Sequence, residues 1–208
     1  MLFRSALEAG VDRKAADQVG LMVLHGNPVQ EIARLAKQIE AQAVFASHDD
    51  EPAALARDAQ VRGALANAGI ALHTYKDHVV FERQEVLTLA GNPYTVFTPY
   101  KNAWLKKLQP QDLAPHPVAE YAAALAPRPV ARQLPVPSLT DIDFEDIDLP
   151  ALHYQTGFSG GQALLQDFLN RIDRYDETRN FPAVKGPSYL SVHLRFGTVS
   201  VRQLALEE

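Results

Sequence analysis

Tyr175, Arg179, Ser188 and Ser191 are the residues whose types and spacing best suit binding chemistry in this chain. Ser188 and Ser191 lie three apart, which on a helix puts both hydroxyls in one turn beside N–H groups that lack an intrahelical partner. Hydroxyls and free N–H groups at a helix start suit an anion, phosphate above all. Pro187 suits the first helical position, where its missing N–H costs nothing. Leu190 and Leu194 supply an apolar side, and Gly197 offers a C-terminal stop. The spacing therefore predicts a short helix opening at Ser188 with an anion site at its start. The motif alone leaves a plain serine cap open as the alternative.

Those residues need a scaffold, and the chain supplies one in alternating elements. Leu21–Leu24, Ala43–Ala46 and Ile70–His73 are short apolar runs that read as buried strands. Between the first two, Val29, Ile32, Ala33, Ala36 and Ile39 repeat at helical spacing after the Gly26-Asn27-Pro28 turn. Between the last two, Pro52 opens a helix carrying Leu55, Ala59, Val61, Leu65 and Ala68, and Gly69 ends it. Strand, helix, strand, helix, strand with short joints predicts an α/β fold with adjacent parallel strands. Residues 1–10 read as a short helix through Leu2, Phe3, Ala6 and Leu7. Thr98 and Pro99 are predicted to cap and open a further helix bearing Trp104, Leu105 and Leu108, with Trp104 packed inward and the lysines solvated. Residues 109–150 hold eight of the fourteen prolines, which strip backbone donors and predict an extended linker. Beyond it, Leu164, Leu165, Phe168, Leu169 and Ile172 form the apolar face of a helix started by Ser159 or Gly160, and Ser200 with Gln203 forms a capping box for a last helix.

Three motifs suggest chemistry that their context does not support. Ser47-His48-Asp49-Asp50-Glu51 lies at the carboxyl edge of the second strand, where open α/β sheets bind ligands, but it reads as a solvated turn with helix-start charges. Gly157-Phe158-Ser159-Gly160-Gly161 matches the G-x-S-x-G elbow of serine hydrolases, yet no buried strand precedes it. Asp141, Asp143, Glu145, Asp146 and Asp148 lack the central Gly and terminal Glu of a calcium loop. The seven histidines show no metal spacing, and no metal site is expected.

The chain has 208 residues, 47% of them hydrophobic, which suffices for one sizeable core or two small ones. A net charge of −5 supplies no global basic field, so any nucleic-acid contact has to be local. Without cysteine there is no disulfide or thiolate chemistry, which fits a cytoplasmic protein. No apolar run approaches the thickness of a bilayer, so no membrane partner is expected.

The order Tyr175…Arg179-Asn180-Phe181-Pro182…Gly186-Pro187-Ser188-Tyr189-Leu190-Ser191 resembles the flavin-binding entry of the DNA photolyase and cryptochrome family, class I deoxyribodipyrimidine photolyases in particular. The family pattern there is Tyr…Arg-Asp-Phe-Pro…Gly-Thr-Ser-x-Leu-Ser. A second run, Gly91-Asn92-Pro93-Tyr94-Thr95-Val96-Phe97-Thr98-Pro99-Tyr100 with Trp104, resembles the family's Gly-x-x-Tyr-x-Val-Phe-Thr-Pro-Phe-x-x-x-Trp. The resemblance covers roughly residues 19–205. It implies a Rossmann-like photolyase α/β domain over 1–108, an interdomain linker over 109–150, and over 151–208 the opening helices of an α-helical FAD-binding domain. It also implies an activity, light-driven FAD-dependent repair of cyclobutane pyrimidine dimers in DNA. Tyr175, Pro187, Ser188, Tyr189, Leu190 and Ser191 would then lie at the FAD, and Arg179 at the damaged DNA strand. Pro187 stands where the family has Thr, which removes a hydroxyl and an N–H from the run. Ala53 and Ala54 stand where some members hold a folate antenna, and neither side chain can hydrogen-bond, so no folate antenna is expected. Measured against the family, the chain looks truncated at both ends, and by itself it is expected to self-associate, to retain FAD poorly and not to repair dimers. A cryptochrome-like blue-light signalling flavoprotein, or a nucleotide-binding α/β module unrelated to light, is the alternative.

Overall fold

The computed structural model describes residues 22–116, 118–129, 137–145 and 155–207. The helix expected over 1–10, Leu21 of the first strand, and Asp146 and Asp148 of the acidic run lie outside the described residues. By its contacts the chain divides into a unit Leu24–Ala114 and a unit containing Pro115–Glu208.

The first unit is built on a parallel strand pair. Helix α1, Pro28–Gln38, starts where Asn27 Oδ1 accepts the Val29 N–H at 2.9 Å and Pro28 takes the first position. Strand β1, Ala43–Ser47, leads into α2, Pro52–Ala66, and then into β2, Ala71–Tyr75. The strands run parallel, with Ala43 opposite Ala71 and Ser47 opposite Tyr75. Gly69 at φ +72° makes the turn out of α2, a left-handed conformation that costs glycine little. The core lies between the two helices and one face of the strands. Ala36, Val61, Leu65 and Ile70 form its centre, with Val29, Ile32, Ala33, Val44 and Leu72 packed around them.

Two strand expectations are corrected. Met22–Leu24 carries no strand, and the sheet described has two strands only. Its apolar run is a lead-in to α1, and hydrophobic content alone does not separate such a segment from a buried strand. The two strands that do form are not buried on both faces. Helices pack on one side, and the other presents Phe45 at 67% exposure, stacked on His73 at 5.2 Å and on Tyr75 at 6.3 Å.

Helix α3, Phe97–Lys107, begins one residue before Thr98, with Val96 as its cap. Pro99 therefore sits inside the first turn, where its lack of an N–H is still tolerated. Trp104 packs edge-on against Phe81 at 5.5 Å, and Lys107 lies over the same ring at 5.0 Å while donating to the Glu85 carbonyl, so Lys107 is not simply solvated. The Pro-rich stretch holds no strand among its described residues, but it is not uniformly extended. Helix α4, Pro110–Leu113, is closed by a reciprocal cap between Gln109 and Asp112, and short 3-10 turns follow at Val118–Ala124 and Thr140–Ile142.

The second unit contains α5, Gly157–Leu169; α6, Tyr175–Thr178; α7, Ser191–Arg195; and α8, Val201–Leu206. Its core is Leu165, Leu190 and Val199, bordered by Leu164, Leu169 and Leu204. Helix α5 starts at Gly157 after Thr156, earlier than Ser159 or Gly160, so Ser159 lies in a helical turn and not on a strand-to-helix elbow. Ser200 caps α8 by accepting the Arg202 N–H at 3.2 Å, but Gln203 does not complete a capping box; its amide pairs with Gln162 at 3.1 Å.

Candidate functional site

Tyr175 and Arg179 sit at the two ends of α6, one helical turn apart. The Tyr175 ring meets Phe168 of α5 edge-on at 5.8 Å, and the Arg179 guanidinium lies 5.7 Å from the Tyr175 centroid. The chain then folds back through tight turns, Phe181 N–H to Thr178 O at 3.1 Å and Val184 N–H to Phe181 O at 2.9 Å. This return brings Gly186 against the end of α6. A Cβ on Gly186 would stand 2.7 Å from the Thr178 carbonyl carbon and oxygen and 2.9 Å from Arg179 N. Only glycine lets the two backbones approach so closely.

The helix expected from Ser188 starts later. Helix α7 begins at Ser191, with Leu190 at its cap position, and Pro187 is not its first residue. Tyr189 is the reason: it sits at φ +57°, a left-handed conformation that a helix cannot pass through and that is uncommon for an aromatic residue. Ser188 and Ser191 thus flank a strained turn and do not share a helical turn. Ser188 Oγ accepts the Leu190 N–H at 3.4 Å, and Ser191 is exposed. Because α7 has five residues, its dipole offers little. Anion binding here would depend on the hydroxyls and N–H groups of the turn. Leu190 is at 2% exposure in the core with Leu165 and Val199, and with Ser188 it borders a small cavity of about 130 Å³. Tyr175 and Tyr189 are both exposed over a substantial part of their rings.

Charged groups that the motif did not single out hold this turn. Arg171 Nη1 donates to the carbonyls of Lys185 at 2.5 Å and Gly186 at 2.7 Å, and Nη2 donates to that of Pro187 at 2.8 Å. Its Nε donates to Asp167 at 3.1 Å, and Lys185 Nζ meets the same carboxylate at 2.8 Å. The Asp167–Arg171 pair has i,i+4 spacing and was legible in the sequence; the three carbonyls were not.

The Lys185 ammonium, and after it Arg171, holds the Asp167 carboxyl below its ordinary value of 3.8, against a partial burial that opposes the shift. A depressed native pKa contributes stability that is full above the ordinary value and is lost as pH falls through the native one. Urea midpoints followed from about pH 5 down to about pH 2 should therefore fall more steeply for the native chain than for Asp167→Asn. Parallel curves would show that the pair contributes nothing to acid stability.

Besides the small cavity at Ser188 and Leu190, two larger ones accompany these features. One of about 560 Å³ is lined by Gln155, Leu164, Lys185, Tyr189 and His193. His193 is buried, with Nδ1 2.5 Å from Thr198 Oγ1. The other, about 420 Å³, lies in the first unit at the carboxyl ends of β1 and β2, lined by His48, Asp49, Asp50, Glu51, Asp77 and Glu82. His48 bridges it, with Nδ1 at 2.9 Å from Glu82 and Nε2 at 3.0 Å from Thr74 Oγ1. The acidic turn is thus partly paired: Asp50 takes Arg83 at 2.8 Å. Among the described residues no group of three or more His, Cys, Asp or Glu could hold a metal ion, and no helix is long and apolar enough to cross a membrane.

The sequence profile of the DNA photolyase family matches residues 5–121. A deoxyribodipyrimidine photo-lyase of Synechococcus sp. is 35% identical over 194 residues, covering 88% of this chain and 38% of its own length. One from Halobacterium salinarum is 34% identical, covering 88% and 37%. Among solved structures, a bacterial class III photolyase from Agrobacterium tumefaciens superimposes with a TM-score of 0.69 at 20% identity, over 99% of this chain and 44% of that one. A Synechocystis cryptochrome gives 0.63 at 24% identity, over 98% and 44%. These likenesses establish the fold, and the chain spans less than half the length of each of these four proteins.

Proposed function

The chain belongs to the DNA photolyase family, and from that premise we propose that it forms part of a light-driven, FAD-dependent enzyme repairing cyclobutane pyrimidine dimers in DNA. The convergence of Tyr175, Arg179 and the Gly186–Ser191 turn in one place carries the reading, because it gathers the residue types a flavin nucleotide requires. The fit is to one end of such a group. Ser188 and Ser191 offer hydroxyls to a phosphate, Tyr175 and Tyr189 offer ring faces, and Arg179 offers positive charge, while Lys185 is paired with Asp167. Pro187 offers only its carbonyl, and Arg171 already takes that. Leu190 serves from below, anchoring the turn in the core. When bound, the reduced flavin supplies the electron that opens the dimer.

The protein's own part is placement. Arg179 is exposed and held over Tyr175, so it can reach a DNA phosphate from the same surface that carries the flavin site. Photolyases take the damaged bases out of the stack, a case the physics of base flipping describes generally, and a local cation of this kind would steady the strand. Ala53 and Ala54 present no polar group to a folate, and the reading assigns no folate antenna. The division into 1–108, 109–150 and 151–208 belongs to the same proposal; the contact boundary at Ala114 and Pro115 falls inside the Pro-rich stretch. Self-association is also part of it, through exposed Val192, Leu194 and Phe196.

Titration with FAD and with riboflavin, followed by flavin fluorescence and gel filtration, tests the reading. FAD is expected to bind weakly but better than riboflavin, with the difference lost in a Ser188→Ala/Ser191→Ala double variant. Equal affinity for FAD and riboflavin, or an FAD preference indifferent to both serines, would sink the assignment of the turn. Blue-light repair of a dimer-bearing oligonucleotide by this chain alone is not expected, and its appearance would show a complete repair site.

A further inference from the structure

We propose that Arg171 is the positioning residue of the Gly186–Ser191 turn, fixing the direction in which its backbone faces a bound anion; the inference rests on the reading of that turn as an anion site. Three consecutive carbonyls, of Lys185, Gly186 and Pro187, converge on one guanidinium at 2.5, 2.7 and 2.8 Å. Carbonyl dipoles gathered in this way repel one another unless a cation sits at their focus. The planar five-donor fork of arginine can serve all three together, whereas an ammonium is a point charge on a flexible stem.

A trans peptide sets its C=O and N–H in opposite directions. Drawing the Pro187 carbonyl onto Arg171 therefore turns the Ser188 N–H to the opposite side of that peptide, away from the guanidinium. Arg171 is itself held. Its Nε is fixed by Asp167 at 3.1 Å, its guanidinium lies 5.3 Å from the Phe168 ring centroid, and its side chain is only 20% exposed. Phe168 is also the ring that receives Tyr175. One arginine thus ties the Tyr175 platform to the turn that carries Ser188.

The test uses the whole ¹⁵N-labelled chain, native and with Arg171→Lys, Arg171→Gln and Arg171→Ala. It reads the amide resonances of Gly186, Ser188 and Tyr189, with those of Leu165 and Val199 as core references, before and during titration with ADP. In the Lys and Gln variants the turn amides should shift while the core references stay in place, and the ADP dissociation constant should weaken by about tenfold or more. Millimolar methylguanidinium added to Arg171→Ala should move the turn amides back toward their native positions. Should Arg171→Ala not fold, the charge-conserving Lys variant carries the test alone. Arg171→Lys with native amide positions and native ADP response overturns the proposal. So does a variant that merely melts earlier with its turn amides unmoved. If the native chain ignores ADP, the anion reading of the turn falls, while the positioning role is still decided by the ligand-free shifts and their rescue.

Discussion

A Gly186→Ala variant is expected to unfold with about 1–3 kcal/mol less free energy than the native chain, the usual cost of forcing a methyl into a filled site. The added carbon would stand 2.7 Å from the Thr178 carbonyl and 2.9 Å from Arg179 N. Both neighbours are backbone, so neither can rotate aside as a side chain would, and the turn or the end of α6 has to move. That movement separates Arg179 from the serine turn and pulls the 186 carbonyl off Arg171. Flavin affinity should therefore fall together with stability. Gly63 is the internal control. It lies inside α2, where an added methyl would meet nothing within 4 Å, so Gly63→Ala should gain about 0.5–1 kcal/mol from helix propensity. Urea unfolding of the three chains and FAD titration of each make the comparison. If Gly186→Ala matches the native chain in both, the close approach of α6 and the turn does not exist in solution.

Legibility followed the range of the interactions. Helices α1 and α2 and strands β1 and β2 stood out in the sequence because their apolar repeats, Pro28, Pro52 and Gly69 are local signals of element type, but the repeat misplaced part of the buried face of α2, where Ala54, Val61 and Leu65 are buried while Leu55 and Ala59 are exposed. Met22–Leu24 carried the same apolar signal without becoming a strand, because a strand exists only through a partner and no local pattern names one. For the same reason Phe45 read as buried: it lies in the continuous apolar run Ala43–Ala46, but the helices cover the other side of the strand. The late start of α7 had no local signal at all. A tyrosine at φ +57° goes against intrinsic preference, and strain of this kind is held only by the surrounding packing.

The site divides in the same way. Tyr175, Arg179, Ser188, Leu190 and Ser191 are candidates singled out by the order of a motif, although the motif does not say that Leu190 is buried. Arg171, Asp167 and Lys185 were missed as site residues because their work appears only after the chain doubles back between residues 179 and 186. The tight fit of Gly186 on Thr178 belongs to the same fold-back.

Leu190 makes the sharpest test of that distinction. The sequence pattern counts it with the cofactor residues, whereas the structure seals its side chain under the turn with Leu165 and Val199. Truncation to alanine should leave a cavity beneath Ser188 and Ser191 and cost about 2–5 kcal/mol, the range for buried leucines that the surroundings cannot refill. Methionine, nearly equal in volume, should cost less than about 1.5 kcal/mol and keep the turn in place. A residue that touched the flavin directly would give a different pattern: both substitutions would lower FAD affinity, and neither would greatly change stability. Amide hydrogen exchange at Leu165 and Val199, alongside FAD titration, tells the two apart. With Leu190→Ala, exchange at both positions should accelerate in proportion to the stability lost, and flavin binding should weaken only because the turn above has lost its floor. With Leu190→Met, both readings should stay near native. If Leu190→Ala slows or spares exchange at Val199 while abolishing flavin binding, the leucine belongs to the ligand and not to the core, and the packing beneath the turn has been misassigned.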